Sequence, residues 1–139
     1  MVTVAPHRPR IEFRPDDPTL TANGGLVLVA ETCRVLDVVG TIDRHVGPVK
    51  TRRRGAGAGE LLVGLAECML AGGDFFCDLD TMRADVAGAQ LRAVADPPAS
   101  TTALGLARRF GPEQAAGLRA AQAELVDRHA PALPPQRRR

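Results

Sequence analysis

Two aspartates separated by one residue, Asp78 and Asp80, are the most suggestive pair of metal-binding side chains in this chain. On a strand both carboxylates would share a face, but on a helix they would diverge by roughly 200° about the axis. The apolar residues around them recur with helical spacing. We therefore interpret both as acids favoured near the positive N-terminal end of a helix, and not as metal ligands.

Neither the cysteines nor the histidines form a recognisable reactive group. No CxxC pair is present, and the cysteines lie among apolar residues at helical spacing, which favours buried thiols over a metal or redox site. The histidines have no acid or nucleophile nearby in sequence that would support catalysis. We predict no catalytic and no metal-binding residue among these positions, which are Cys33, Cys68, Cys77, His7, His45 and His129.

A cluster of cations offers a different chemistry, the binding of phosphate. The segment KTRRRGAGAG holds Lys50, Arg52, Arg53 and Arg54, followed by glycines at alternate positions, and it predicts a flexible basic loop. Such a loop can follow a nucleic-acid backbone and release counterions on binding. The alternative is a solvated loop between helices, and the residues alone favour that alternative.

Two helix pairs are further candidates for DNA contact. Arg108 and Arg109 end one helix just before Gly111 and Pro112, and short helix-turn-helix units place their second helix in the major groove. The second helix here begins Pro-Glu-Gln, which offers one amide and an acid that repels phosphate, so a plain helical hairpin is favoured. An earlier pair, from Leu26 to Val46, would present Thr41, Asp43 and Arg44.

Composition predicts a mainly α fold. Hydrophobic residues make up 45% of the 139 residues and aromatic residues only 3%, with no Trp or Tyr, so the core must rely on Leu, Val and Ala. The net charge of +2 says little about partners, and the single lysine among many arginines also fits a GC-rich genome. No apolar stretch approaches a membrane span and no signal-peptide order is present, which predicts a cytoplasmic protein.

The pattern divides the chain into a loose N-terminal segment (1–20), a small helical bundle (21–130) and a disordered basic tail (131–139). Within the first part, Ile11 to Phe13 could pair as a short edge strand. Six helices are predicted from spacing, caps and stops. They run from Leu26 to near Gly40, from a Thr41 cap to Gly47, from Glu60 to Gly72, from an Asp74 cap through Val86, from a Ser100 or Thr101 cap to Phe110, and from Pro112 to about His129, with a weaker helical piece through Leu91 and Val94.

Apolar spacing predicts which face of each longer helix is buried. The predicted stripes are Leu26, Val29, Cys33 and Leu36; Leu61, Leu62, Leu65, Ala66 and Met69; Phe75, Leu79, Met82 and Val86; Leu104, Ala107 and Phe110; and Leu118, Ala121 and Leu125. These stripes are wide for so small a chain.

Four motifs in this order resemble the N-terminal region of group-one DDE transposases of bacterial insertion sequences. They are LTANGGLVLVAETCRVL, GAGAGELLVGLAECMLAGGD, DLDTMRAD and PPASTTALGLARRF. The resemblance implies a helical region that grips element ends and supports subunit pairing, with the terminal inverted repeats as DNA partner. It favours DNA contact by the basic loop and by Arg108 and Arg109. A second copy or a full-length transposase would be a further partner.

In that family, a ribonuclease-H-like core follows, in which two Asp and one Glu hold two metal ions, Mg²⁺, for strand transfer. The chain ends in PPQRRR near where the first strand of that core is expected. We therefore expect a truncated transposase that is not an enzyme by itself and holds no cofactor. A frameshift, an early stop or an expression boundary would explain the ending. The alternatives are a free-standing helical DNA-binding regulator and an inert remnant.

Overall fold

The computed structural model describes residues 19–49 and 55–130, and within these ranges the chain is helical with no strand. The predicted mainly α fold is confirmed. The possible strand at Ile11 to Phe13 and the tail 131–139 lie outside the described residues. The elements are α1 (Leu26–Val35), α2 (Val38–Val46), α3 (Ala58–Leu70), α4 (Asp78–Ala84), a 3-10 helix (Ala87–Leu91), α5 (Ser100–Ala107) and α6 (Pro112–His129).

Helix α2 lies at the centre of one half of the bundle, packed between α3 and α6. Its apolar face forms a first cluster, which we call the central cluster and which contains Ile42, Val46, Ala58, Val63, Val94 and Ala121. At the other end, α4 and α5 pack with α3 and the start of α1 around a second cluster, the distal cluster, which contains Leu26, Leu61, Cys68, Leu79, Met82, Ala103 and Leu106. Helix α3 contributes to both, so it joins the two halves.

Two glycines allow the central helices to approach each other closely. A Cβ atom at Gly59 would overlap the backbone carbonyl of Val39, and one at Gly117 would overlap the carbonyl of His45. The backbones of α2 and α3, and of α2 and α6, therefore touch directly at these points. Close backbone approach is one of the few situations in which only glycine fits.

The break between the first two helices falls earlier than predicted. Helix α1 ends at Val35, and Asp37 takes up a left-handed conformation with φ 51° before α2 begins at Val38. Asp tolerates this region better than most residues, so the helix is interrupted there without glycine. Gly40 therefore lies inside α2. Thr41 is fully buried within the helix, so the prediction that it caps the helix is wrong.

The start of α4 also differs from the prediction. The helix begins at Asp78, and the carboxylate of Asp78 accepts hydrogen bonds of 2.9 Å from the backbone N–H groups of Asp74 and Phe75. Asp74 is therefore not the N-cap, because a short turn precedes the helix. Leu79 and Met82 are buried as predicted, but Phe75 and Val86 lie beyond the ends of the helix and are 73% exposed.

The predicted stripes of α3 and α5 are rotated relative to the buried faces. In α3, Met69 is 71% exposed and Ala66 is exposed, whereas Gly64, Glu67 and Cys68 are buried. The absence of a side chain at Gly64 lets Pro97 pack against the helix. In α5, Ala103 and Leu106 are buried while Leu104 is exposed.

The predictions for the C-terminal third of the bundle have mixed outcomes. Ala99 is the N-cap of α5 and Ser100 its first residue, so neither predicted cap is correct. The weaker helical piece is a 3-10 helix that ends at Leu91. Helix α6 has the predicted bounds, with Ala121 fully buried between half-buried Leu118 and Leu125.

Candidate nucleic-acid interface

The basic segment predicted to contact phosphate connects the two helices that pack most centrally, α2 and α3. Lys50, Arg52, Arg53 and Arg54 themselves lie outside the described residues. The structure does describe both ends of their connection. Val49, on the α2 side, is half-buried and packs against both hydrophobic clusters. On the α3 side, Gly55 has a left-handed φ of 87°.

Hydrogen bonds tie the two sides of this connection together. The carboxylate of Asp43 on α2 accepts a 2.7 Å hydrogen bond from the backbone N–H of Gly59 on α3. The carboxylate of Glu60 accepts a 3.0 Å hydrogen bond from the N–H of Gly57, which completes a capping interaction at the start of α3. A Cβ at Gly57 would lie 2.7 Å from Asp43 Oδ1, so that carboxylate fills the space beside the glycine. These hydrogen bonds hold α2 and the start of α3, which the basic segment connects, in a fixed arrangement.

The charge of the chain is divided unevenly between this segment and the helices. Residues 19–49 and 55–130 contain eight arginines and thirteen aspartates and glutamates. The chain as a whole has a net charge of +2, because residues 50–54 supply four cations and residues 137–139 supply three more. The described helical part therefore carries a net negative charge, which disfavours phosphate, whereas residues 50–54 carry a net positive charge.

Arg108 and Arg109 are the described members of the predicted contact set. Both are exposed, and they follow α5 directly, with Arg108 at its C-cap. Neither guanidinium is paired with a carboxylate of the described residues, in contrast to Arg34, which is paired with Glu31. They remain available for an anionic partner.

The N-terminus of α6 follows these two arginines, but its polar side chains are occupied. The side-chain carbonyl of Gln114 accepts a 2.9 Å hydrogen bond from the N–H of Gly111, which caps the helix. Glu113 adds a negative charge in the same turn. The helix as a whole lies along α2, with the close approach at Gly117. Helix α6 therefore packs against α2, and α5 packs against α4, so α5 and α6 do not form the closely packed hairpin that the sequence favours.

The other predicted pair, α1 and α2, leaves Asp43 and Arg44 exposed but engages both in hydrogen bonds within the bundle. Asp43 is bound to Gly59, and Thr41 is fully buried. The guanidinium of Arg44 donates to Asp37, Thr41 and Glu124 at 2.9, 2.8 and 3.2 Å. Helix α2 packs against both α3 and α6, so only part of its surface is open to a partner.

The two aspartates of the D-x-D pair have separate structural partners. Asp78 accepts from two backbone N–H groups before α4, whereas Asp80 accepts from the hydroxyl and N–H of Ser100 at 2.5 and 3.0 Å. The hydrogen bonds from Ser100 lower the pKa of Asp80. Within residues 19–49 and 55–130, no three His, Cys, Asp or Glu side chains are placed to share a metal ion.

Sequence reasoning missed two polar contacts that hold the helices together. Glu67 is fully buried, and its carboxylate accepts from the N–H groups of Ala93 and Val94 at 2.6 and 3.1 Å. The Nε2 atom of His45 on α2 lies 2.5 Å from the Oε2 atom of Glu124 on α6. For Glu67, the only signal in the sequence was its spacing of four residues from Val63, which places both on one face of the helix. For His45 and Glu124, which are far apart in the sequence, no local pattern predicts the contact.

The cysteines occupy different environments. Burial raises the pKa of the Cys68 thiol in the distal cluster and that of half-buried Cys33 in α1. Cys77, just before α4, is exposed, so the prediction that all three thiols are buried is wrong for this residue. The three are free thiols.

Comparison with known proteins identified no match to a family model, a curated protein or a solved structure. The transposase family therefore stays a prediction that rests on the four sequence motifs. None of the helices in the described ranges is both long and apolar enough to cross a membrane.

Proposed function

We propose that this chain is a DNA-handling helical region of the type that precedes the catalytic core in group-one DDE transposases. Lys50, Arg52, Arg53 and Arg54 contact the phosphate backbone, with Arg108 and Arg109 as additional contacts. The observation that carries the proposal is the distribution of charge: four cations fall within five residues of sequence between α2 and α3, while the described helices carry a net negative charge.

The resemblance supports the proposal independently of charge. Its first motif contains α1, its second contains α3, its third contains α4 and its fourth contains α5. A helical region of this kind binds DNA and pairs subunits without performing strand transfer. The Mg²⁺ ions and the three acids required for that reaction would belong to a ribonuclease-H-like core, so no catalytic role is assigned to the described residues.

The proposal is tested by the salt dependence of DNA binding. Purified full-length chain is titrated onto a duplex carrying the inverted repeats that flank its own gene, and onto an unrelated duplex of equal length, at several salt concentrations. Replacing Lys50, Arg52, Arg53 and Arg54 by Ala should weaken binding and reduce the slope of log K against log salt by about 3 to 4, since each phosphate contact contributes about 0.9.

A matched control uses the other run of cations. Replacing Arg137, Arg138 and Arg139 by Ala removes a similar charge from a different place, and it should change the slope less than the first variant. An equal loss in both would show attraction by net charge alone, and undiminished binding by the first variant would refute the proposal. A strong preference for a promoter-like site over the inverted repeats would instead indicate the free-standing regulator.

A further inference from the structure

An open groove of about 790 Å³ lies in the distal half of the bundle, and none of the residues proposed to bind DNA is part of its lining. Its walls are the turn at residues 20–23, the C-terminal end of α3 and helix α4 with the residues that follow it. Buried Cys68 and Met82 contribute to its lining. The groove therefore combines an apolar interior with direct access from solvent.

Three large apolar side chains line this groove and are left exposed. Leu20 is 71% exposed, and Phe75 and Val86 are each 73% exposed. Isolated exposed hydrophobics are ordinary, but several around one concave surface are typical of a binding site. Covering them would remove apolar area from water, which is favourable by about 25 cal/mol per Å².

The first turn of the described structure, at residues 20–23, forms part of the wall of this groove. Thr21 donates a 2.6 Å hydrogen bond to the carboxylate of Asp85, and the side-chain amide of Asn23 donates to the same oxygen at 3.3 Å. These bonds fix the turn that follows Leu20 against the end of α4. The N-terminal segment, residues 1–18, is therefore attached at the edge of the groove.

The N-terminal segment contains an apolar pair suited to the groove. In an extended chain, Ile11 and Phe13 project to the same side, because side chains alternate. The segment holds three arginines and three acidic residues, so apolar contact and not net charge would pair it with the groove. The chain between Phe13 and the start of the wall at Leu20 can span up to roughly 23 Å, at about 3.3 Å per residue.

We propose that the groove is an intramolecular docking site for the N-terminal segment of this chain, with Ile11 and Phe13 inserted between Leu20, Phe75 and Val86. The attachment of the segment to the groove wall favours this occupant over a second copy. A short tether gives an effective concentration on the order of millimolar, which a separate molecule at ordinary protein concentration does not reach.

The absence of Trp and Tyr from the sequence makes the proposal directly measurable. Phe13→Trp places a single tryptophan on the segment of the full-length chain, and Val126→Trp places one on an exposed position of α6 as reference. Docking predicts that the indole of the Phe13→Trp chain fluoresces at shorter wavelength and is quenched by iodide several-fold less than the indole of the reference chain. These differences should persist unchanged across a wide dilution series.

Two matched substitutions locate the contact. Val86→Glu in the Phe13→Trp chain should abolish the protection, because a charge would face the apolar segment. Leu28→Glu is the control, since Leu28 on α1 is 74% exposed but does not line the groove. It should leave the protection intact. Phe75→Ala is a second groove variant, and circular dichroism verifies that each variant keeps its helices.

Three results would overturn the proposal. Emission and quenching equal to those of the Val126→Trp reference would show that Phe13 is not covered. Protection that disappears on dilution would show that a second copy fills the groove. Protection that survives both Val86→Glu and Phe75→Ala in folded protein would place Phe13 elsewhere. None of these results bears on DNA binding by residues 50–54, so the two proposals are tested separately.

Discussion

The central and distal halves of this bundle are held together by different means. In the central half, α2 contacts α3 and α6 through glycines that bring the backbones together, and buried Glu67 fixes the chain after the 3-10 helix. In the distal half, the polar contacts are made by more accessible carboxylates: Asp80 on α4 accepts hydrogen bonds from Ser100 at the start of α5, and Asp85 after α4 accepts one from Thr21. The open groove is in the distal half.

Both halves have a buried apolar cluster, so the difference lies in how deeply their polar and backbone contacts are buried. A buried contact cannot be replaced by water, so its loss leaves unsatisfied groups or overlapping atoms. A carboxylate that water can reach is partly rehydrated when it loses its partner, so the loss costs less. Substitutions in the central half should therefore cost more free energy of unfolding than substitutions in the distal half, and local opening should begin around the groove.

The largest effect is expected at Glu67. Glu67→Ala would leave the N–H groups of Ala93 and Val94 without their acceptor, and it should lower the free energy of unfolding by about 4 kcal/mol, since each buried donor costs about 1 to 3 kcal/mol. Urea denaturation followed by circular dichroism measures the change. Glu31→Ala, which removes only an exposed pair with Arg34, is the control and should have almost no effect. A small loss at Glu67 would contradict the comparison.

The glycine contacts should give the next largest effect. Gly59→Ala and Gly117→Ala each place a methyl group against a backbone carbonyl, which should cost about 3 kcal/mol because the helices must move apart. Gly105→Ala in α5 is a matched control with open space around its Cβ. It should stabilise the protein by about 0.5 to 1 kcal/mol, as alanine is the better helix former. Thermal unfolding measures the stability of the three variants. Equal changes in stability in all three would contradict the comparison.

The smallest of the three effects is expected at Asp85, in the distal half. Hydrogen bonds from Thr21, with smaller contributions from Gly88, Asn23 and the charge of Arg92, lower the pKa of Asp85. The carboxylate therefore stabilises the folded state above its unfolded pKa of about 3.9, and this contribution is lost as pH falls through the lower folded value.

Asp85→Asn should cost about 2 kcal/mol at neutral pH, because hydrogen bonds to a charged acceptor are lost. It should also flatten the fall in stability that the parent chain shows below about pH 4. Urea denaturation at several pH values measures both. Asp96→Asn is the control, as Asp96 is 81% exposed. If Asp85→Asn lowered the free energy of unfolding more than Glu67→Ala, contacts in the distal half would contribute more than those in the central half, contrary to the comparison.

Sequence patterns predicted the fold class and those helix ends that glycine and proline define. Gly47 ends α2, Gly72 follows α3, and the Gly111 and Pro112 pair separates α5 from α6, all as expected. The break at Asp37 was missed because it depends on a left-handed conformation at a residue that usually adopts ordinary ones. Local composition carries no signal for such a conformation when glycine is not used.

The buried faces were harder to predict, because burial depends on partners far away in sequence. Gly64 contributes to a buried face through its missing side chain, and Glu67 contributes through hydrogen bonds to residues 26 and 27 positions later. A prediction based on hydrophobic spacing includes neither glycine nor glutamate in the buried face. At the candidate interface, the basic segment could be predicted from the sequence. The hydrogen bond between Asp43 and Gly59, which joins the two helices on either side of that segment, could be found only from the structure.

The unequal burial of the cysteines has a practical consequence for selective labelling. Thiol reagents attack the thiolate, so half-buried Cys33 and buried Cys68, whose pKa values are raised, react slowly at neutral pH. Exposed Cys77 lies next to the groove wall and reacts first. A dye can therefore be attached beside the groove in the natural sequence, without removing any cysteine.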